Sequence, residues 1–324
     1  MSPWAVLQGA VVARCDTATR PEAAAFLAQA ENFYTAAQSG ILAANPLLLY
    51  YAFLNLVKTL ILTSHTSTSL VEARHGLVER RSPAVDELAG AEIAVIDEPN
   101  RPSVFPLLAR ALGFTPPPHG TQVRILDLFP EVVVGHRLWR QAGGAERFVS
   151  AAPVLAHDPI GQTVWANIFV EQSDLARFNI THRDVLEYSL SGQYREVASP
   201  IENYLCFEEL EPLTYGDRPS DQIAQVVRRV RPHLWRVATS VPPYRKYYLY
   251  VSPSRTELPQ LLSLYALIFY LGSVTRYRPH VFAQIMESPY GAFVSEFIAA
   301  QPEQLLYLLA SEVCEREVVK PAII

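Results

Sequence analysis

Between Pro46 and Leu62 the chain reads PLLLYYAFLNLVKTLIL. A helix that is hydrophobic all round has two stable environments, a protein core and a lipid bilayer. A spanning helix needs roughly 20 consecutive apolar residues. This run falls short and carries Asn55 and Lys58 in its second half. A charge at the centre of a lipid-facing helix costs about 2.5–3.5 kcal/mol on insertion scales. A second run, LLSLYALIFYLGSV from Leu261 to Val274, is shorter still and includes Ser263, Gly272 and Ser273. Two such helices can bury each other, so the pair predicts a core and no membrane span. Pro46 suits a first helical turn, where a missing N–H costs nothing.

The rest of the composition agrees with a globular chain. Of 324 residues, 50% are hydrophobic and 18% charged, a normal balance for a sizeable core. The formal net charge of -5 gives no global field toward nucleic acid, so any such contact needs a local patch. Cys15, Cys206 and Cys314 are far apart and never form a CxxC pair, which argues against a disulfide framework and a zinc site. A reducing cytoplasm is the natural compartment. The first residues, MSPWAVLQGAVVARC, have no basic region ahead of their apolar run and do not read as a signal peptide.

Along the chain, the pattern is helices, then strands, then helices. Pro21 to Ser39 reads as a helix ended by Gly40. Leu70 to Arg81 reads as a short helix broken at Gly76, a residue suited to a backbone turn. Ser103 to Leu112 and Arg124 to Gln141 supply further helical pieces, separated by the GFTPPPHG loop. The middle is β-branched and aromatic at Arg147–Leu155, Thr163–Glu171, Asn203–Glu208, Leu234–Ser240 and Lys246–Val251, which predicts a small, antiparallel-rich sheet. Thr181 and Asp184 are spaced as an N-cap and its N3 partner. After Pro253 the chain returns to helix, with Pro279, Pro289 and Pro302 each near an expected helix start. Runs rather than alternation indicate α+β, mainly α. The expected parts are an N-terminal helical part (1–122), a β-rich middle (123–253) and a C-terminal helical part (254–324) packing on the first.

No P-loop, GxGxxG, HExxH or GxSxG occurs, and the histidines lack metal-ligand spacing. Neither a metal nor a cofactor is called for. Four candidate constellations remain. TRYRPH at the end of the second apolar run brings Arg276, Arg278 and His280 together. An Arg can hold a phosphate and stabilise a charged transition state, and a His can exchange protons near neutral pH. Against this, cations at a helix end are ordinarily dipole partners. RFNITH (Arg177 to His182) repeats an Arg and a His, but its capping residues explain it structurally. The stretch from Arg228 to Arg255 has no acidic residue. Arg228, Arg229, Arg231, Arg236, Arg245 and Lys246, with Trp235 and Tyr244 interleaved, are what a single-strand binding patch contains. A solvated helix face followed by strands contains the same residues. His75, in Arg74-His75-Gly76, could face the helix pair as a structural histidine.

The runs ENFYTAA (Glu31 to Ala37), PLLLYYAFLNLVKTLIL, RHGL (Arg74 to Leu77) and LGSVTRYRPH (Leu271 to His280) resemble, in order and spacing, the YaaC-like family of bacterial proteins. The resemblance covers the two helical ends and implies a bacterial cytoplasmic protein. Those ends are also distantly similar to HEPN domains, which pack long apolar helices and often act as RNases in toxin–antitoxin and phage-defence systems. Their motif is an Arg and a His with four to six residues between them; three residues separate Arg276 from His280, one short of that pattern. The resemblance implies a HEPN-like bundle formed by both chain ends. Two functions follow. One is a nucleic-acid-directed protein of a bacterial defence or stress system, a metal-independent RNase or RNA-binding module using Arg276 and His280. The other is a non-catalytic interaction protein that forms a homodimer or docks a partner enzyme.

Overall fold

The computed structural model describes residues 2–40, 43–64, 69–81, 88–98, 100–141, 143–190, 192–238 and 247–319. The elements, in order, are α1 (Pro3–Arg14), α2 (Arg20–Gln38), α3 (Asn45–Thr63), β1 (Leu77–Arg81), β2 (Ala91–Val95), α4 (Val104–Ala111), β3 (Gln122–Arg124), α5 (Ile125–Leu128) and α6 (Val133–Gln141). There follow β4 (Phe148–Asp158), β5 (Thr163–Glu171), α7 (Gln172–Phe178), α8 (His182–Asp184), β6 (Tyr194–Val197), β7 (Tyr204–Glu209), β8 (Leu213–Thr214), α9 (Ser220–Val230), β9 (Trp235–Arg236) and β10 (Tyr247–Tyr250). The chain closes with α10 (Gln260–Tyr277), α11 (Pro279–Glu287) and α12 (Gly291–Cys314). It is an α+β protein with two compact units, Met1–Leu138 with Leu261–Ile324, and Trp139–Gln260.

In the first unit α3 is the hub, packed against α1, α2, α4 and α12. Among the described residues it is the one helix long and apolar enough to cross a membrane, and 83% of its apolar window lies buried inside the protein. Its buried asparagine and lysine are both accommodated. Asn55 donates to Gln29 Oε1 at 2.8 Å. Lys58, 8% exposed, holds its ammonium 4.6 Å from the centre of the Phe26 ring. Burial pushes the Lys58 pKa down, while the Glu22 carboxylate opposes the shift. The two apolar helices do pair. Gly272 of α10 lies so close to α3 that a Cβ there would stand 2.5 Å from the Tyr50 Cβ, and Phe269 meets the Tyr50 ring edge-on at 5.6 Å.

Three expectations are corrected in this unit. Leu77–Arg81 is a strand, not part of a helix. It pairs antiparallel with β2, which pairs with β3. Gly76 has φ +78, and a Cβ there would stand 2.7 Å from Pro106 Cδ and 2.9 Å from the Phe105 nitrogen. That left-handed, crowded position ends any helix from Leu70 and turns the chain into β1. The second correction is that the N-terminal part carries a sheet, whose middle strand buries Ile93, Ala94 and Val95. The third is Pro302, which lies inside α12 rather than at a helix start.

The second unit is built on a seven-stranded antiparallel sheet, ordered β6-β7-β5-β4-β10-β9 with β8 beside β5. Val149, Ile168, Val170, Phe207 and Leu249 fill its core. Helix α9 presents Ile223, Val226 and Val230 to that core, the i, i+3, i+7 spacing of one helix face. Thr181 and Asp184 form the expected capping box. Beside the sheet, His233 is 5% exposed. Its Nδ1 lies 2.8 Å from the Ser189 carbonyl and its Nε2 3.2 Å from Gln193 Oε1.

Burial depresses the His233 pKa from 6.5 to about 4; the Ser189 bond opposes the shift and the Arg255 charge adds to it. The unfolded chain therefore binds more protons than the folded one between those values, and stability rises with pH across that window. The contribution of neutral His233 is complete above pH 6.5 and is lost as pH falls toward 4, an effect on the order of 2–3 kcal/mol. Urea unfolding at pH 7.5 and pH 5 should show the loss in the wild type and a flattened dependence in His233→Gln. Equal pH slopes in the two proteins would remove His233 as the cause.

Candidate functional site

The segments quoted above for the family resemblance come together in the first unit. Phe33 of α2 stacks on Tyr51 of α3, with ring centres 5.4 Å apart. Tyr50, the next residue of α3, hydrogen-bonds His75 Nδ1 through its hydroxyl. The His75 ring also lies 6.1 Å from Phe269 of α10. Two turns further along α10, Arg276 donates through Nη1 to the Tyr51 hydroxyl. Its guanidinium sits 5.8 Å from the Tyr51 ring centre and 4.9 Å from that of Tyr277.

Helical spacing explains how α10 does this. Phe269 and Gly272 face α3 through one side of the helix, and Arg276 follows Gly272 by four residues on the same side. Adjacent residues on α3 divide the work: Tyr50 is 4% exposed and faces inward, while Tyr51 is half-buried and open at its edge. Burial, with Tyr265 and Tyr51 close by, pushes the Tyr50 pKa far up, so its hydroxyl keeps its proton. Burial first, then the Lys58 and Arg276 charges, push the His75 pKa down. His75 is thus a neutral imidazole at pH 7, oriented by Tyr50, with no hydrogen-bond partner for Nε2 among the described residues.

Arg276 is exposed and so is His280, at the second position of α11. Arg278, between them, is structural. It precedes α11, and its guanidinium forms an ion pair with Glu79 of β1 in which both side chains are mostly buried. Tyr277, beside Arg276, is 68% exposed, an unusual state for a tyrosine. Its place next to the arginine is visible in the sequence. Tyr51 as the arginine's partner is not, because the two residues are remote along the chain.

The basic run of the second unit is divided. Arg228 is exposed on α9. Arg229 reaches Glu209 Oε1 at 3.1 Å and the Glu211 carbonyl at 2.7 Å. Arg231 and Arg236 are half-buried, and the Arg236 backbone pairs with the Gln260 side chain. Trp235 is a correction: it is 0% exposed, edge-on to Phe148 and covered by the Arg255 guanidinium at 4.6 Å, so no base can stack on it. Tyr244, Arg245 and Lys246 lie outside the described residues. In RFNITH, Arg177 covers Phe178 at 4.3 Å and His182 Nδ1 lies 2.7 Å from Glu196 Oε2. Among the described residues no group of His, Cys, Asp and Glu is arranged to hold a metal ion.

No curated protein and no solved structure matches the chain. A family model described as YaaC-like Protein matches residues 12–313. That match spans both helical ends, the sheet between them and every residue of the Tyr51–His75–Arg276 cluster, and the chain therefore belongs to the YaaC-like protein family.

Proposed function

We propose that this YaaC-like protein is directed at single-stranded RNA, as part of a bacterial defence or stress response in the cytoplasm. The observation that carries the reading is Arg276: an exposed guanidinium braced by the Tyr51 hydroxyl and flanked by the open ring of Tyr277. A fixed cation takes a phosphate, and a neighbouring aromatic face takes a base, which is how proteins hold single strands without reading sequence. His280, exposed at the start of α11, is the candidate proton-exchanging group of a HEPN-like, metal-independent RNase. Arg228, exposed on α9 of the other unit, is a separate candidate for phosphate.

A gel assay with end-labelled single-stranded RNA, without metal, tests this. The wild type should shift the RNA. Arg276→Ala and Tyr277→Ala should each weaken the shift about tenfold, since a charged hydrogen bond or a stacked base is worth about 1.5–3 kcal/mol. Both side chains are exposed, so their removal should leave the melting temperature in place. Cleavage present in the wild type and absent in His280→Ala would add catalysis. RNA left unshifted and uncut by the wild type would sink the reading and favour the alternative, a protein that docks a partner or a second copy of itself.

A further inference from the structure

The first unit also has a concave site, none of whose lining residues belongs to the cluster above. It is an open cavity of about 530 Å³ beside the start of α4, within the size range of small-molecule sites. The N–H groups at that helix start are already taken. Val104 donates to the Arg74 carbonyl at 2.8 Å and Phe105 to the His75 carbonyl at 3.1 Å, and Pro106 has no N–H. A ligand here must be met by side chains. Two of the lining residues, Arg101 and Arg110, are arginines, and a third arginine, Arg74, reaches the rim through its pair with Glu98. Arg110 pairs with Asp97 at 2.7 Å, and Arg74 pairs with Glu98 at 2.8 Å. Arg101, which is exposed, has no carboxylate partner among the described residues. With two carboxylates against three guanidinium groups, the site carries one uncompensated positive charge. One oxygen of each carboxylate is engaged by an arginine, which leaves the other free to accept from a hydroxyl.

Ser103 supplies an independent sign of a ligand. It lines the cavity and is 2% exposed, yet its Oγ has no hydrogen-bond partner among the described residues. Leaving a buried hydroxyl unpaired costs about 1–3 kcal/mol. Its position before α4 would allow it to cap that helix, and it does not do so. Leu107 and Pro102 add an apolar wall.

We propose that this cavity binds a small phosphorylated ligand with vicinal hydroxyls, the chemistry shared by nucleotides and sugar phosphates. Arg101 and Arg110 hold the phosphate, the free oxygens of Asp97 and Glu98 accept the hydroxyls, and Ser103 gains its missing partner. The site is separate from the RNA reading and stands without it.

Isothermal titration of the full chain with adenosine 5′-monophosphate, ribose 5-phosphate and inorganic phosphate tests it. At least one of the two organic phosphates should bind at a single site and more tightly than inorganic phosphate. Preference for the nucleotide would assign the apolar wall to the base, and preference for ribose 5-phosphate would assign the site to the sugar alone. Arg101→Ala should weaken binding about tenfold or more with an unchanged melting temperature, and Arg276→Ala should leave binding intact. Ser103→Ala should weaken binding while the ligand-free protein stays as stable as the wild type or becomes more so. Three results would overturn the proposal: no saturable binding of either organic phosphate, inorganic phosphate binding as tightly as both, or an Arg101→Ala protein that binds as the wild type does.

Discussion

A Gly272→Val protein loses more than about 3 kcal/mol of stability in its helical unit, above the usual range for overpacking a core. A Cβ at position 272 would stand 2.5 Å from the Tyr50 Cβ, 2.9 Å from its Cγ and 3.2 Å from the Pro46 carbonyl oxygen. None of these atoms can rotate away. The first is fixed to the α3 backbone, the second is tied through the ring to the His75 hydrogen bond, and the third is backbone itself. Relief requires the two apolar helices to separate, which opens gaps along a tightly packed contact. Thermal and urea unfolding measure the loss. A melting temperature within a few degrees of the wild type would show that the helices have room to spare, and the close approach at Gly272 would lose its meaning.

The second large effect falls on the sheet unit. Trp235→Ala should cost about 3–5 kcal/mol, as expected for truncating a buried aromatic. Trp235 packs edge-on to Phe148 at 6.1 Å and obliquely against Tyr250 at 5.8 Å. Truncation leaves a void there and also removes the ring beneath Arg255. That guanidinium donates to the Ser189 and Pro232 carbonyls, each at 2.9 Å, so the damage spreads to two loops. A surface tryptophan serving as a base platform would behave in the opposite way, with RNA affinity falling and the urea midpoint unmoved. That second outcome would contradict the buried position.

Tryptophan in a basic stretch shows why composition and placement part company. Arg228, Trp235 and Arg236 look like one patch in one dimension, because strand and helix periodicities that send alternate residues inward cannot be read across a change of element. The strong periodic signals did translate. Helices α2 and α3, the β4–β5 hairpin and the Thr181–Asp184 cap follow from local patterns whose energy is local. Strand β1 did not, because VERR favours helix on its own and is held extended by pairing with β2 and by Arg278 gripping Glu79. Pro302 did not either, since surrounding contacts of α12 outweigh the hydrogen bond that a proline deletes. His75 and Arg276 of the cluster, and His280 on α11, are each visible in the sequence as chemistry-bearing residues. What joins Arg276 to Tyr51 and His75 to Tyr50 is the packing of α10 on α3, a long-range event with no short-range trace.

The order in which the chain is made gives that packing a consequence for the cell. The ribosome releases α3 early, while its partner α10 follows only after roughly two hundred further residues, the whole sheet unit among them. Contacts at such separation form late. Helices α1 and α2 are already made when α3 emerges, but at about 5–20 residues per second the face that α10 covers waits some tens of seconds, long enough for a nascent-chain chaperone to hold that face first.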